Sequence, residues 1–94
     1  MEINGIQFDL VIDGSDIYAQ SLTKEIVFAE GADLLKSEAE DAYYSTKRSL
    51  GREDWHKFNA YPQDKWISEY MDECIEEWVK RNMHLGCEID LNLN

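Results

Sequence analysis

One proline, two cysteines and nine basic residues among 94 leave this chain short of the features that usually reveal what a small protein does. Two cysteines allow at most one intramolecular bridge, whereas small exported domains usually carry several. Cys74 and Cys87 are therefore expected to be reduced thiols of a cytoplasmic protein. No uncharged apolar run approaches the roughly 20 residues needed to cross a bilayer. Nor does Met1-Glu2-Ile3-Asn4 supply the basic start and apolar run of an export signal. The nine Lys and Arg face twenty Asp and Glu, for a formal charge of -11. Sequence-independent binding to DNA, RNA or anionic lipid requires clustered cations, so direct nucleic-acid binding and membrane docking are not expected. The length allows a single domain over residues 1–94, with one core and no deep cleft.

Recognisable chemistry is also lacking. Cys74, His84 and Cys87 have the spacing C-x9-H-x2-C, which fits no common zinc pattern. Asp9, Asp13 and Asp16 surround Gly14 without the 12-residue calcium loop, and ordinary turn chemistry accounts for them. Acid–base catalysis needs carboxylates whose environments separate their pKa values, and nothing marks out such a pair. His56, between Trp55 and Lys57, has no cysteine or serine placed by sequence as a nucleophile. The expectation is a protein that is not an enzyme and uses neither cofactor nor metal.

What the chain does contain is enough apolar material to fold. Hydrophobic residues make up 44% and aromatics 12%, which argues against the disorder that high net charge otherwise implies. Ile6, Phe8, Leu10 and Ile12 alternate with Gln7, Asp9 and Val11, the period of a half-buried strand. The turn cluster Asp13-Gly14-Ser15-Asp16 leads to a second strand over Ile17 to Leu22, and Glu25-Ile26-Val27-Phe28-Ala29 suits a third. Tyr18, Leu22, Ile26 and Ala29 also fit helical spacing, which leaves 17–29 open between strand and helix. Past Gly31 the period becomes helical through Leu35, Ala39, Ala42 and Tyr43 until Leu50-Gly51. Residues 51–61 are expected to be a connector whose Trp55, Phe58 and Tyr61 pack on the core as a short helical turn or ordered loop.

Pro62 opens a second helix, predicted over 62 to about 85, with Ile67, Tyr70, Met71, Cys74, Ile75, Trp78 and Leu85 on one face. Lys80, Arg81 and His84 suit its carbonyl end, and Gly86 is placed for a left-handed C-cap. Cys87, Ile89, Leu91 and Leu93 alternate as a final strand. The expected fold class is α+β: an N-terminal antiparallel hairpin or meander joined by a C-terminal strand, packed against two main helices.

The acidic surplus is unevenly placed. Residues 1–46 carry ten acids and two bases, residues 47–65 three acids and five bases, and residues 66–94 seven acids and two bases. Glu69, Asp72, Glu73, Glu76 and Glu77 share an arc of roughly 140° opposite the apolar stripe of the second helix. Like charges at these i,i+3 and i,i+4 spacings each destabilise a helix by about 0.2–0.5 kcal/mol, so helix stability alone would not select them. Asp33, Glu40 and Asp41 repeat the theme on the first helix. Carboxylates about 5–6 Å apart on successive turns approximate the charge spacing of a nucleic-acid strand. The bland reading is a solvated, solubilising face.

The sharper reading is a non-enzymatic inhibitor that mimics DNA or RNA in the groove of a basic nucleic-acid-processing protein, with those eight acids as its partner-binding residues. Small acidic inhibitors that phages direct against restriction or CRISPR systems work this way as a class, an analogy of size and charge that no motif here carries. Two-fold pairing as a homodimer would extend the acidic stripe economically. The alternative is a protein–protein module of the antitoxin or immunity kind, docking on a basic partner through Trp55, Phe58, Tyr61 and Trp66. Lys47, Arg48, Arg52, His56, Lys57 and Lys65, interleaved with aromatics, have the ingredients of single-strand binding, but a local surplus of two cations sits in a negative field.

Overall fold

A computed structural model of the chain describes residues 1–90. These form strands β1 (Glu2–Ile3), β2 (Ile6–Gln7), β3 (Asp9–Asp13), β4 (Asp16–Gln20) and β5 (Lys24–Phe28). Helices α1 (Gly31–Ser49), α2 (Arg52–Ala60) and α3 (Gln63–Arg81) follow, then a 3-10 turn at Met83–Leu85 and strand β6 (Cys87–Asp90). The fold is α+β, as expected: an antiparallel sheet in the order β3-β4-β5-β6 with a separate two-stranded ribbon, β1-β2.

Period-2 burial settles the open segment in favour of strand. Ile17, Ala19, Ile26 and Phe28 are all buried on one sheet face, while Leu22 is 98% exposed at the tip between β4 and β5. There Ser21 Oγ accepts the N–H groups of Thr23 (3.3 Å) and Lys24 (3.0 Å), closing the turn and breaking any helical continuity. Between β3 and β4, Asp13 pairs with Asp16 around Gly14-Ser15, and of the two central residues only Gly14 has positive φ, the mark of a II′ hairpin turn.

The first strand is interrupted where alternation predicts continuity. Residues Asn4 (φ 51°) and Gly5 (φ 82°) turn the chain so that β1 pairs with β2, and Met1 and Phe8 extend the ladder by exchanging bonds of 2.7 and 3.0 Å. Asn-Gly between Ile3 and Ile6 is the sequence signal for this hairpin. At the other edge β6 pairs with β5, as the C-terminal alternation predicts, although all four of its residues are exposed. Its expected continuation over 91–93 lies outside the described residues.

Helix α1 begins where the β3–β4 turn holds it. The Glu30 N–H donates to Asp16 Oδ1 (2.8 Å) and the Ala32 N–H to the Ser15 carbonyl (2.9 Å). Leu35, Ala39 and Tyr43 on α1 face Ile67, Trp78 and Val79 on α3, and Trp78 meets the buried Phe28 edge-on at 5.8 Å. The expected end of the second helix is corrected. It stops at Arg81: Asn82 leaves helical backbone (φ -116°, ψ 24°), its N–H is shared between the Trp78 (3.0 Å) and Val79 (3.2 Å) carbonyls, and its side-chain amide caps the Trp78 carbonyl (2.8 Å). Leu85 consequently falls off the apolar stripe and is exposed, and fully buried Val79 belongs to the core instead. Gly86 is not a left-handed cap either, since its φ is -74°. It is needed for space: a Cβ there would stand 2.6 Å from Ile26 Cγ2 and 3.1 Å from Phe28 Cε1.

The connector is itself a nine-residue helix, α2, with no buried residue. Phe58 packs against Tyr43 and Trp66, but Trp55 is exposed and does not join the core. A second apolar cluster of Ala39, Tyr43 and Ile67 with Phe58, Trp66 and Tyr70 carries the packing beyond the sheet. Nineteen-residue helices span about 28 Å whereas five-residue strands span about 17 Å. The molecule is accordingly elongated, 61 × 24 × 19 Å, with a radius of gyration of 16.4 Å against the ~12 Å of a compact chain this long.

Candidate functional site

Burial of Ile67, Trp78 and Val79 fixes the rotation of α3, so the opposite arc must face solvent. Glu69, Asp72, Glu73, Glu76 and Glu77 are all exposed there. They occupy a helical rise of about 12 Å, or about 3 Å per charge, close to the ~3.4 Å per phosphate along one nucleic-acid strand. Lys65 and Lys80 bracket the face at either end of the same arc. Among the described residues none of the five pairs with a Lys or Arg side chain. The side-chain ion pairs lie elsewhere, at Lys24–Glu88 (2.8 Å) and Arg81–Glu38 (3.1 Å). Glu76 Oε1 stands 3.9 Å from the Met1 amino group, and Glu69 Oε1 accepts the Tyr61 hydroxyl at 2.6 Å. That hydrogen bond, followed by desolvation and the charge of Glu69, raises the Tyr61 pKa above the ordinary phenol value.

The α1 acids divide. Glu40 and Asp72 line one groove of 590 Å³ with Ile12, Lys36, Asp64 and Met71. Tyr43 lies against Trp66 and Gly31 against Trp78, so α1 and α3 run antiparallel and exposed Asp33 lies alongside the C-terminal half of α3. Asp41 follows Glu40 by about 100° of helical rotation and points away from that groove. Asp64 is the groove carboxylate that sequence reasoning left out. It belongs to the first turn of α3, and its role depends on the neighbouring strand β3, which helical periodicity does not reveal.

The aromatic set also divides. Phe58, Tyr61 and Trp66 line an open groove of 530 Å³ with Leu50, Asp54, Lys57 and Glu69. Trp55 lies in an adjoining one with Leu50, Arg52 and His56, and Lys47 Nζ stands 5.8 Å from its ring. Lys65 likewise caps the Tyr61 ring at 5.4 Å. Two of the cations in the basic middle are thus engaged with aromatic faces.

Cys74 is a half-buried free thiol and Cys87 an exposed one. Among the described residues no three His, Cys, Asp or Glu side chains are grouped to hold a metal ion, and no helix is long and apolar enough to cross a membrane. Burial, reinforced by the neighbouring Cys74 and Glu38, raises the Tyr70 phenol pKa, with Arg81 opposing. No protein-family model, curated protein or solved structure matches the chain.

Proposed function

We propose that this chain is a non-enzymatic, cytoplasmic inhibitor whose α3 face occupies the basic groove of a nucleic-acid-processing protein. The observation that carries this reading is the run of five exposed carboxylates on α3 without a Lys or Arg counter-ion among the described residues. Magnitudes favour a local mimic over a whole-body one. Over its 61 Å length the molecule has one net charge for about every 5.5 Å, a third of the density of duplex DNA at ~1.7 Å per charge. Only on α3 does the spacing approach that of a nucleic-acid strand. Lys and Arg of the target would meet carboxylates in place of phosphates, and the field of the acidic protein would accelerate the encounter. Asp33 and Glu40 border this surface, while Asp41 contributes only to the long-range field.

The test is cleavage by purified restriction and RNA-guided nucleases in the presence of the protein. Inhibition is expected to weaken steeply with salt, to yield to excess duplex DNA, and to disappear in the folded double variant Glu73→Lys/Glu76→Lys. Inhibition that survives both reversals would refute the reading.

A second reading rests on the groove formed by Phe58, Tyr61 and Trp66, an aromatic surface beside a helix that buries nothing. A protein–protein module of the antitoxin or immunity kind would place its hot spot there, with acids at the rim. Such a module would lose binding on Tyr61→Ala and be nearly indifferent to Glu73→Lys.

A further inference from the structure

Strand β3 forms one edge of the sheet, and its only sheet neighbour among the described residues is β4. In an antiparallel pair successive residues direct their backbone groups to alternate edges. Asp13 and Asp16 close the two-residue turn, so Asp9, Val11 and Asp13 bond toward β4 while Leu10 and Ile12 present N–H and C=O to the outside. Phe8, two residues earlier in the same phase, meets Met1 on that side, and no described backbone group does the same for Leu10 or Ile12. Val11 and Ile12 are also 41% and 38% exposed. A row of unpaired backbone groups beside exposed β-branched side chains is a template for another strand.

The charge around this edge selects the occupant. On the face that Ile12 shares lies the 590 Å³ groove, lined by Glu40, Asp64 and Asp72 against the single cation Lys36, together with Ile67 and Met71. On the opposite face Asp9 and Asp13 flank Val11. A second copy pairing about a two-fold axis at Val11 would set Asp9 against Asp13 and place two chains of charge -11 side by side, and like charges opposed across strands are destabilising. An extended segment rich in Lys and Arg meets the same residues with favourable sign.

We propose that the outer edge of β3 accepts a basic, extended peptide segment of a partner protein as a fifth strand. Its backbone pairs with Leu10 and Ile12, one cation stands opposite Asp13, and cations on the other face reach Glu40, Asp64 and Asp72. Apolar residues on each face, between the cations, cover Val11 and Ile12. This surface shares Asp72 with the outer arc of α3 but not Glu69, Glu73, Glu76 or Glu77, so substitution of Glu73 distinguishes failure of one assignment from failure of the other.

The test is titration of the isotope-labelled protein with the blocked heptapeptide Lys-Lys-Val-Val-Lys-Lys-Val, which as a strand presents both Lys and Val on each face, followed by NMR and amide exchange. The Leu10 and Ile12 amides are expected to be fast-exchanging in the free protein and protected in the complex. Replacing every Lys by Glu abolishes binding, and the fully N-methylated Lys/Val peptide, which keeps its charges but loses its amide donors, binds at least tenfold more weakly. Asp64→Asn/Asp72→Asn weakens the parent peptide several-fold while Glu73→Gln does not. Equal binding of the N-methylated peptide would overturn the proposal. So would shifts centred on Glu73, Glu76 and Glu77, or a dimer by light scattering whose Leu10 and Ile12 amides are protected without peptide.

Discussion

Replacing Glu73 with lysine is expected to stabilise the fold while spoiling the α3 face, a combination that separates a surface kept for binding from one kept for folding. Glu73 lies four residues after Glu69, three before Glu76 and four before Glu77, at the centre of the exposed arc. Each like-charge pair at these spacings costs about 0.2–0.5 kcal/mol. Glu73→Lys removes three such repulsions and substitutes attractions of similar size, about 1–3 kcal/mol if fully additive. Exposed pairs are screened and flexible, so about 1 kcal/mol is the working expectation. For a chain of this size that corresponds to a rise of about 4–8 °C in Tm. Glu73→Gln, which only removes repulsion, is expected to give about half. The assay is thermal and urea unfolding at low salt and again at about 1 M, where the screening length of ~3 Å should erase the difference. A variant no more stable than the parent at low salt, or one whose gain persists at high salt, would refute the claim that these carboxylates strain the helix.

Three further outcomes follow from the packing and the turn. Gly86→Ala is expected to cost about 1–3 kcal/mol in urea unfolding, because its methyl group would press on Ile26 and Phe28 in a filled core; an unchanged midpoint would show that the 3-10 turn yields freely. Asp16→Ala removes the acceptor for the Glu30 N–H and is expected to cost about 1–2 kcal/mol, with Asp16→Asn losing less; equal losses would show that the hydrogen bond is not what anchors α1. The Tyr61 pKa is raised in the folded state, so its contribution to stability is complete below the ordinary phenol range near 10 and is lost as pH climbs through the raised value. Phenolate absorbance of the parent minus Tyr61→Phe is expected to show that late step, and an ordinary midpoint would count against the bond to Glu69.

The strand and helix periods were written plainly along the chain. Gly31 and Leu50-Gly51 bound α1 as expected, and alternation placed both the meander and the returning strand. Where periodicity misled, a local hydrogen bond or a close contact had intervened. Asn82 ended α3 early, and Gly86 proved to be a matter of space against Ile26 and Phe28 rather than of left-handed backbone. The N-terminal hairpin was legible in Asn4-Gly5, but the longer alternation through Ile6 and Phe8 masked it. For the connector, the three aromatics suggested packing, yet a helix can hold on by Phe58 alone and leave Trp55 outside.

The sequence by itself determined the α+β class and the acidic arc of α3, because both depend on intervals of a few residues that fixed helical and strand geometry converts directly into faces. The tertiary structure decided which charges become neighbours. Glu40, Asp64 and Asp72 meet beside Ile12 only because α1, α3 and β3 converge there, while Asp41, adjacent to Glu40 in the chain, is turned away by a single step of the helix. It also decided that β3 is an edge, since strand order depends on which strands find partners across the sheet and not on any pattern within β3 itself.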